Sequence, residues 1–266
     1  MPLFYWCFLW FIALFGSMPL WAQQGDKYQI AAAQLSGLFN TPADAGQTQT
    51  DAGVYYQLLS QILKDTGLAS QYEIVVLPMK RAKNDFARGQ FACYAPGLDT
   101  FDAPERQLLA KDILSSSPFN YAMVKVLSRP KHTLVKSAAD ISGKDLISIV
   151  RGVPVNAQMQ RILDNAMQSY TVNSERENLQ MLMSGRVNYS LVFYPDVLAA
   201  YRELGLTEYF PFDKKYSPLT IRDNLICHQR HKKAFLQIEA AIKRYQQQGL
   251  LQKILLDYYL PAEMLR

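Results

Sequence analysis

The stretch Leu77–Arg106, LPMKRAKNDFARGQFACYAPGLDTFDAPER, constrains the fold more than any other part of the chain. Pro78 ends the apolar run Ile74–Leu77 and suits the first turn of a helix, where its missing N–H is not needed. Met79, Ala82 and Phe86 then recur at helical spacing, and Gly89 marks a stop. Phe91–Tyr94 resumes an extended, aromatic-rich pattern, and Pro96-Gly97 breaks it into a polar loop with Arg106 at its far edge. Strand, helix and strand at this spacing predict a βαβ unit, and so a parallel sheet with loops gathered at its carboxyl edge. Open α/β sheets bind their ligands at such loops.

The alternation runs the length of the chain. Tyr28–Ala33 predicts a first strand, and the loop Gln34–Gly53 follows it. Gln34, Ser36, Phe39 and Asn40 of that loop are candidate cleft residues, with an ordinary surface loop as the competing reading. Val54, Leu58, Leu59, Ile62 and Leu63 form a helical stripe that ends near Gly67, and Glu73–Leu77 is a second strand. Phe119–Leu127 predicts a long strand. Leu146–Val150 is another, entering through Arg151-Gly152-Val153-Pro154 a helix with Pro154 at its first position. Ser169–Val172 and Tyr189–Phe193 are strands, and Ser174 with Glu177 makes a capping box between them. Pro195 starts a helix to Leu204, Tyr209–Phe212 is a short strand, and Leu219–His228 is a last long one. A terminal helix carries Phe235, Ile238, Ala241, Ile242 and Tyr245 on one stripe. No repeat with a period of about 20–50 residues is present, which excludes a solenoid.

Residues 3–21 are almost wholly apolar, and Gly16, Ser17 and Pro19 break the run before Ala22. This predicts a signal peptide over 1–22 with cleavage after about Ala22 and a periplasmic location, although no Lys or Arg precedes the apolar core. A retained membrane anchor is the alternative. Hydrophobic residues at 49% and charged residues at 19% describe an ordinary globular chain with sizeable cores. The net charge of +5 is spread rather than clustered, which argues against nucleic-acid or membrane-surface binding and fits mild attraction of anionic solutes. Cys93 and Cys227 remain after cleavage, and an exported setting permits either a disulfide or two buried thiols. Neither has metal-site spacing, and no cofactor is expected.

Several stretches carry a resemblance. The basic residues after Pro78, the helix closed by Arg88-Gly89, Thr100 and Ala103-Pro104-Glu105-Arg106 look like the first lobe of family 3 extracellular solute-binding proteins. Ile141-Ser142-Gly143-Lys144 with Ile149-Val150-Arg151-Gly152, then Leu182 with Gly185-Arg186-Val187-Asn188, resemble that family's second lobe. The closing helix from Lys233 to Tyr259 is similar to its tail. The resemblance implies a type II periplasmic binding fold: two α/β lobes, each a mostly parallel sheet flanked by helices, joined by two hinge crossovers. It places lobe 1 at 23–128 with 222–266 and lobe 2 at 129–221, with hinges at Ser128–Pro130 and Ser217–Ile221. It also puts both cysteines on neighbouring strands of the first lobe.

The same resemblance implies a monomeric receptor of an amino-acid importer, docking on an inner-membrane ABC permease, or alternatively a module docking on a membrane sensor. Arg106 matches the arginine that grips a ligand carboxylate, with Thr100 in the same loop. Gly152 and Val153 would offer second-lobe N–H groups at a helix start, and Arg81 would add positive charge at the cleft mouth ahead of Lys80. The family's ammonium-binding aspartate is replaced here by Phe193, an aromatic that can offer only its face to a cation. That departure points to a carboxylate-bearing or aromatic ligand rather than an ordinary α-amino acid. Asp196 reads as the opening acid of its helix, and Glu175 as a cap. His132, His228 and His231 lie away from predicted cleft loops, and no G-x-S-x-G, H-E-x-x-H or Walker-type motif occurs. A binding role is therefore expected ahead of a dehydratase-type enzyme on the same scaffold.

Overall fold

The computed structural model describes residues 27–40 and 52–260. The predicted signal peptide, Cys7 and part of the loop after the first strand lie outside these residues. Two five-stranded sheets organise the chain. The first contains β1 (Tyr28–Ala33), β2 (Tyr72–Leu77), β3 (Cys93–Ala95), β4 (Ile113–Ser115) and β10 (Ile226–His228), in the order β2-β1-β3-β10-β4. The second contains β5 (Asn120–Ser128), β6 (Leu146–Val150), β7 (Gln168–Val172), β8 (Tyr189–Tyr194) and β9 (Leu219–Asp223), in the order β7-β6-β8-β5-β9. In each sheet one strand is reversed against the others: β10 in the first and β5 in the second. Each reversed strand is the one arriving from the other lobe.

Both sheets are covered on two faces, which explains the continuous apolar runs of their central strands. Along β1, Ile30 and Ala32 face a core under α1 (Val54–Asp65), α7 (Lys232–Gln247) and α8 (Leu250–Leu255). Ala31 and Ala33 face the other core, under α2 (Met79–Ala87). In the second lobe, α4 (Ala157–Asn165) packs Met159 and Ile162 on one face of the sheet. There α5 (Glu175–Met183) and α6 (Val197–Glu203) cover the opposite face. Cys93 and Cys227 are opposed on the β3–β10 pair and form a disulfide.

The crossings differ from the expected hinges. β5 pairs along its length with β8 and β9, so it belongs to the second sheet, and the chain leaves lobe 1 at 116–119 rather than at Ser128–Pro130. The expected return strand Leu219–His228 is two strands, broken at 224–225, so the return falls there and not at Ser217–Ile221. The crossings run side by side, with the Ser116 N–H donating to the Leu225 carbonyl and the Phe119 N–H to that of Asp223 (both 2.9 Å). A single long strand would have tied both sheets rigidly; the break at Asn224 makes a paired hinge.

Three local expectations also change. The loop before Arg106 contains a short helix, α3 (Ala103–Leu109), with Pro104 in its first turn. Tyr209–Phe212 is irregular rather than a strand. The helix after Gly152 begins at Ala157, not at Pro154: Asn156 caps it by accepting from the Met159 N–H at 2.8 Å. An asparagine can supply that acceptor oxygen and proline cannot.

Candidate ligand site between the lobes

A cavity of about 330 Å³ lies between the lobes. Lobe 1 contributes the β1 exit turn Gln34–Ser36 and the start of α2, Pro78–Lys80. Lobe 2 contributes Val150, Arg151 and Val153 after β6, Asn173–Glu175 at the start of α5, and Phe193 and Asp196 around the end of β8. Every one of these segments sits at the carboxyl end of a parallel strand, where backbone leaves the sheet and side chains converge. The lobes touch at one lip. Gly152, at φ 87°, occupies a left-handed conformation, and a Cβ built there would lie 3.6 Å from Met79 Sδ.

The floor is acidic. Glu175 opens α5, yet its side chain turns beneath the helix instead of capping it. Its Oε1 accepts from the Phe193 N–H at 2.9 Å and its Oε2 from Asn178 Nδ2 at 3.1 Å. Burial pushes its pKa up to about 8, opposed by those two hydrogen bonds and reinforced by Asp196. Asp196 is 4% exposed, and burial pushes it up to about 7. Its Oδ1 is sealed from solvent and has no hydrogen-bond partner. Behind them, Asp223 at the hinge accepts from the Tyr55 hydroxyl, which itself accepts from Asn120 Nδ2 at 2.7 Å. Burial raises Asp223 well above the carboxylate range, with Asp196 and Asp99 adding to it. Lys80 and Arg151 are exposed on opposite lips, one from each lobe. Among the described residues no cluster of three or more His, Cys, Asp or Glu side chains is placed to hold a metal.

Val153 and Phe193 line the cavity, and Gly152 flanks it. With α4 starting at Ala157, Gly152 and Val153 offer loop rather than helix-terminal N–H groups. The other expected residues stand elsewhere. Arg106 Nη2 donates to the carbonyls of Phe101 (3.1 Å) and Asp99 (3.4 Å), and Nη1 lies 3.9 Å from the Asp99 carboxylate. It therefore fastens its own loop. Thr100 is buried, its hydroxyl bonded to the Gly97 carbonyl and to Tyr94. Phe39 is fully buried edge-to-face on Tyr55. Arg81 points to Asp85 on the wet face of α2. Glu175 and Asp196 stand at helix starts, as the sequence predicts. Depth decides their role, and no local signal in the chain encodes depth.

These features define a two-lobed α/β fold of the periplasmic-binding type, with a cavity where the lobes meet. No protein-family model matches the chain, and no curated protein matches it in sequence. Solved structures match it over most of its length. The ancestral amino acid-binding protein AncCDT-1, a precursor of cyclohexadienyl dehydratase, superposes with TM-score 0.65 at 16% identity, covering 88% of this chain and 96% of that one. The GluR0 ligand-binding core in complex with L-glutamate gives 0.66 at 11% identity, covering 89% and 99%. AbpA from Streptococcus pneumoniae, an amino acid ABC transporter substrate-binding protein bound to L-arginine, gives 0.64 at 13%, covering 87% and 94%. At these identities the likeness is one of fold.

Proposed function

We propose that this chain is an exported solute-binding receptor that captures a small amino-acid-like ligand between its lobes and closes over it. The observation that carries this reading is the cavity, walled by strand-end loops of both lobes, so that a ligand touching both walls favours closure. Its volume of about 330 Å³ suits a solute the size of an amino acid. AbpA and the GluR0 core, which share the fold, are named for binding arginine and glutamate. Val153, Gly152 and Phe193 are the expected contacts. Lys80 and Arg151 take the anionic end of the ligand, whereas Arg106 bonds carbonyls of its own loop through Nη2. The apolar residues 3–21 support export to the periplasm, and the closed monomer would present its surface to a membrane permease or, alternatively, a membrane sensor.

The test is a thermal-shift screen of the mature protein against amino acids, dicarboxylates, aromatic acids and amines, with Arg151→Ala and Arg106→Ala alongside. A ligand at about 100 times its Kd stabilises by roughly 2.7 kcal/mol. The expected result is a shift for the parent and for Arg106→Ala once its lower baseline is subtracted, and a smaller shift for Arg151→Ala. A screen that shifts nothing overturns the receptor reading. One observation favours a second, catalytic reading: Glu175, with a pKa of about 8 in a cleft, is protonated at neutral pH as a general acid must be. Recovery of the bound ligand unchanged after long incubation removes it.

A further inference from the structure

We infer that the cavity floor is a cation subsite, in which Glu175 and Asp196 together take an ammonium or guanidinium group of the ligand. This rests on the receptor reading and names its ligand class: a small amine or guanidine, with any carboxylate directed outward to Arg151 and Lys80. Three observations carry it. Two carboxylates from separate helices, both more than nine-tenths buried, border one cavity. Among the described residues neither is ion-paired to a lysine or arginine, so no cation of the protein balances the floor when these acids ionise. Asp196 Oδ1, finally, is a buried acceptor with no donor. Leaving such an acceptor unpaired is costly, and once the acids ionise an N⁺–H from a ligand would supply both a donor and the balancing charge.

Glu175 complements this. With the Phe193 N–H and Asn178 Nδ2 holding its two oxygens, the carboxylate is oriented before any ligand arrives. The Phe193 ring, also on the wall, can present its face to the same cation. Phe193 stands at the aspartate's place in the chain, yet the cavity does not lack an acid. The acid is supplied instead by the first residues of α5 and the approach to α6. A dicarboxylate would meet two buried carboxylates once they ionise, and is disfavoured as pH rises.

Binding is accordingly linked to protons. Without ligand the acids hold protons near neutral pH; a cation displaces them, so affinity rises with pH through the range in which they titrate. The groups facing the pair are Asp223 and Tyr55 behind it, Tyr201 near Glu175, Tyr258 beside Asp196, and Lys80 and Arg151 at the lips. Glu175 and Asp196 are the acids that border the cavity itself.

The experiment is isothermal titration calorimetry of the mature protein at pH 6 and pH 8.5, in two buffers of different ionisation enthalpy. The probes are L-arginine, L-lysine, agmatine and putrescine, set against L-glutamate and succinate. The expected result is a cationic probe that binds at least tenfold more tightly at pH 8.5 and releases protons. Asp196→Asn and Glu175→Gln should each lose tenfold or more at pH 8.5 and flatten the pH dependence, with Asp196→Asn, which breaks no hydrogen bond at Oδ1, melting no lower than the parent without ligand. A purely structural pair would not give that combination. Binding of glutamate or succinate without the cations overturns the subsite and leaves the receptor reading standing, as does a cation whose affinity ignores pH and both substitutions. Failure of all six probes, together with a blank thermal screen, overturns both.

Discussion

Tyr55 joins the two lobes through a single hydroxyl. It donates to Asp223, at the end of a lobe 2 strand, and accepts from Asn120, at the start of another, while its ring is buried in the lobe 1 core. Tyr55→Phe keeps the ring and leaves two buried polar groups short of a partner, so chemical denaturation should report a loss of about 1–3 kcal/mol. Asp223, Asp196 and Glu175 also set the pH dependence of the ligand-free protein. Each has a folded pKa raised above its unfolded value, so between about pH 4 and 7 the folded state holds more protons than the unfolded chain. Stability then falls as pH rises, by up to about 1.4 kcal/mol per pH unit for each acid while it titrates. Asp99 and Glu239 are lowered, chiefly by bonds from Arg222 and from Lys243 and Ser117 against the cost of burial, and their contribution is lost only on acidification through their depressed values. Melting measured without ligand should therefore peak on the acid side of neutral, and Asp196→Asn should flatten the decline above it. A melting temperature that climbs from pH 5 to pH 8 would contradict this account.

Among the elements, the β3–β10 pair holds the first sheet to the returning chain. The Cys93–Cys227 bond closes a loop with a sequence separation of 134, which contains the whole second sheet. In the chain-entropy account such a loop is worth about 5 kcal/mol. The double variant Cys93→Ala with Cys227→Ala should lose a few kcal/mol in urea yet keep its fold, because the β3–β10 and β10–β4 ladders remain. No loss at all would mean that the ladder alone fixes the return. Helices and central strands such as α1, β1 and β6 were legible in the sequence because a stripe or an apolar run has a fixed period. α3 was not: its seven residues bury no side chain, and a helix without an apolar face leaves no stripe. The split of β9 from β10 was not legible either. Asp223 and Asn224 interrupt an otherwise strand-like run, and their role appears only where Asn224 Nδ2 meets the Ser116 carbonyl of the other crossing at 3.0 Å. The site divides the same way. The loops bordering the cavity follow from strand order, whereas the direction of Arg106 depends on two carbonyls of its own turn, which no spacing encodes.

For the molecule as a whole, the question is how far the lobes are already committed to closure. α6 reaches across from lobe 2: Leu198 and Ala199 join the lobe 1 core, and Arg202 bonds the Tyr258 hydroxyl with its guanidinium 4.9 Å from that ring's centroid. Its Nη1 lies 3.8 Å from Asp257, although both side chains are more than half exposed, so the ion pair adds little. On the hinge side Arg222 forks onto Asp99 at 2.9 and 3.2 Å. The lobes thus meet at Met79–Gly152, at α6 and at the hinge, around a cavity still large enough for a solute. A ligand's apparent affinity scales with the fraction of protein in the closed, competent state. Removing the Arg202 contact withdraws about 1 kcal/mol from that state, a ring-facing cation and a partly screened pair, which is about fivefold in the closed-to-open ratio. Arg202→Ala should therefore enlarge the unliganded radius of gyration in small-angle scattering and leave the liganded radius unchanged. Ligand binding should weaken by up to about fivefold, with no change in its pH dependence, since Arg202 does not border the cavity. A variant with parental scattering and parental affinity would mean that Leu198 and Ala199 alone hold the lobes, and that closure is set by apolar packing at the base of α6 rather than by the guanidinium.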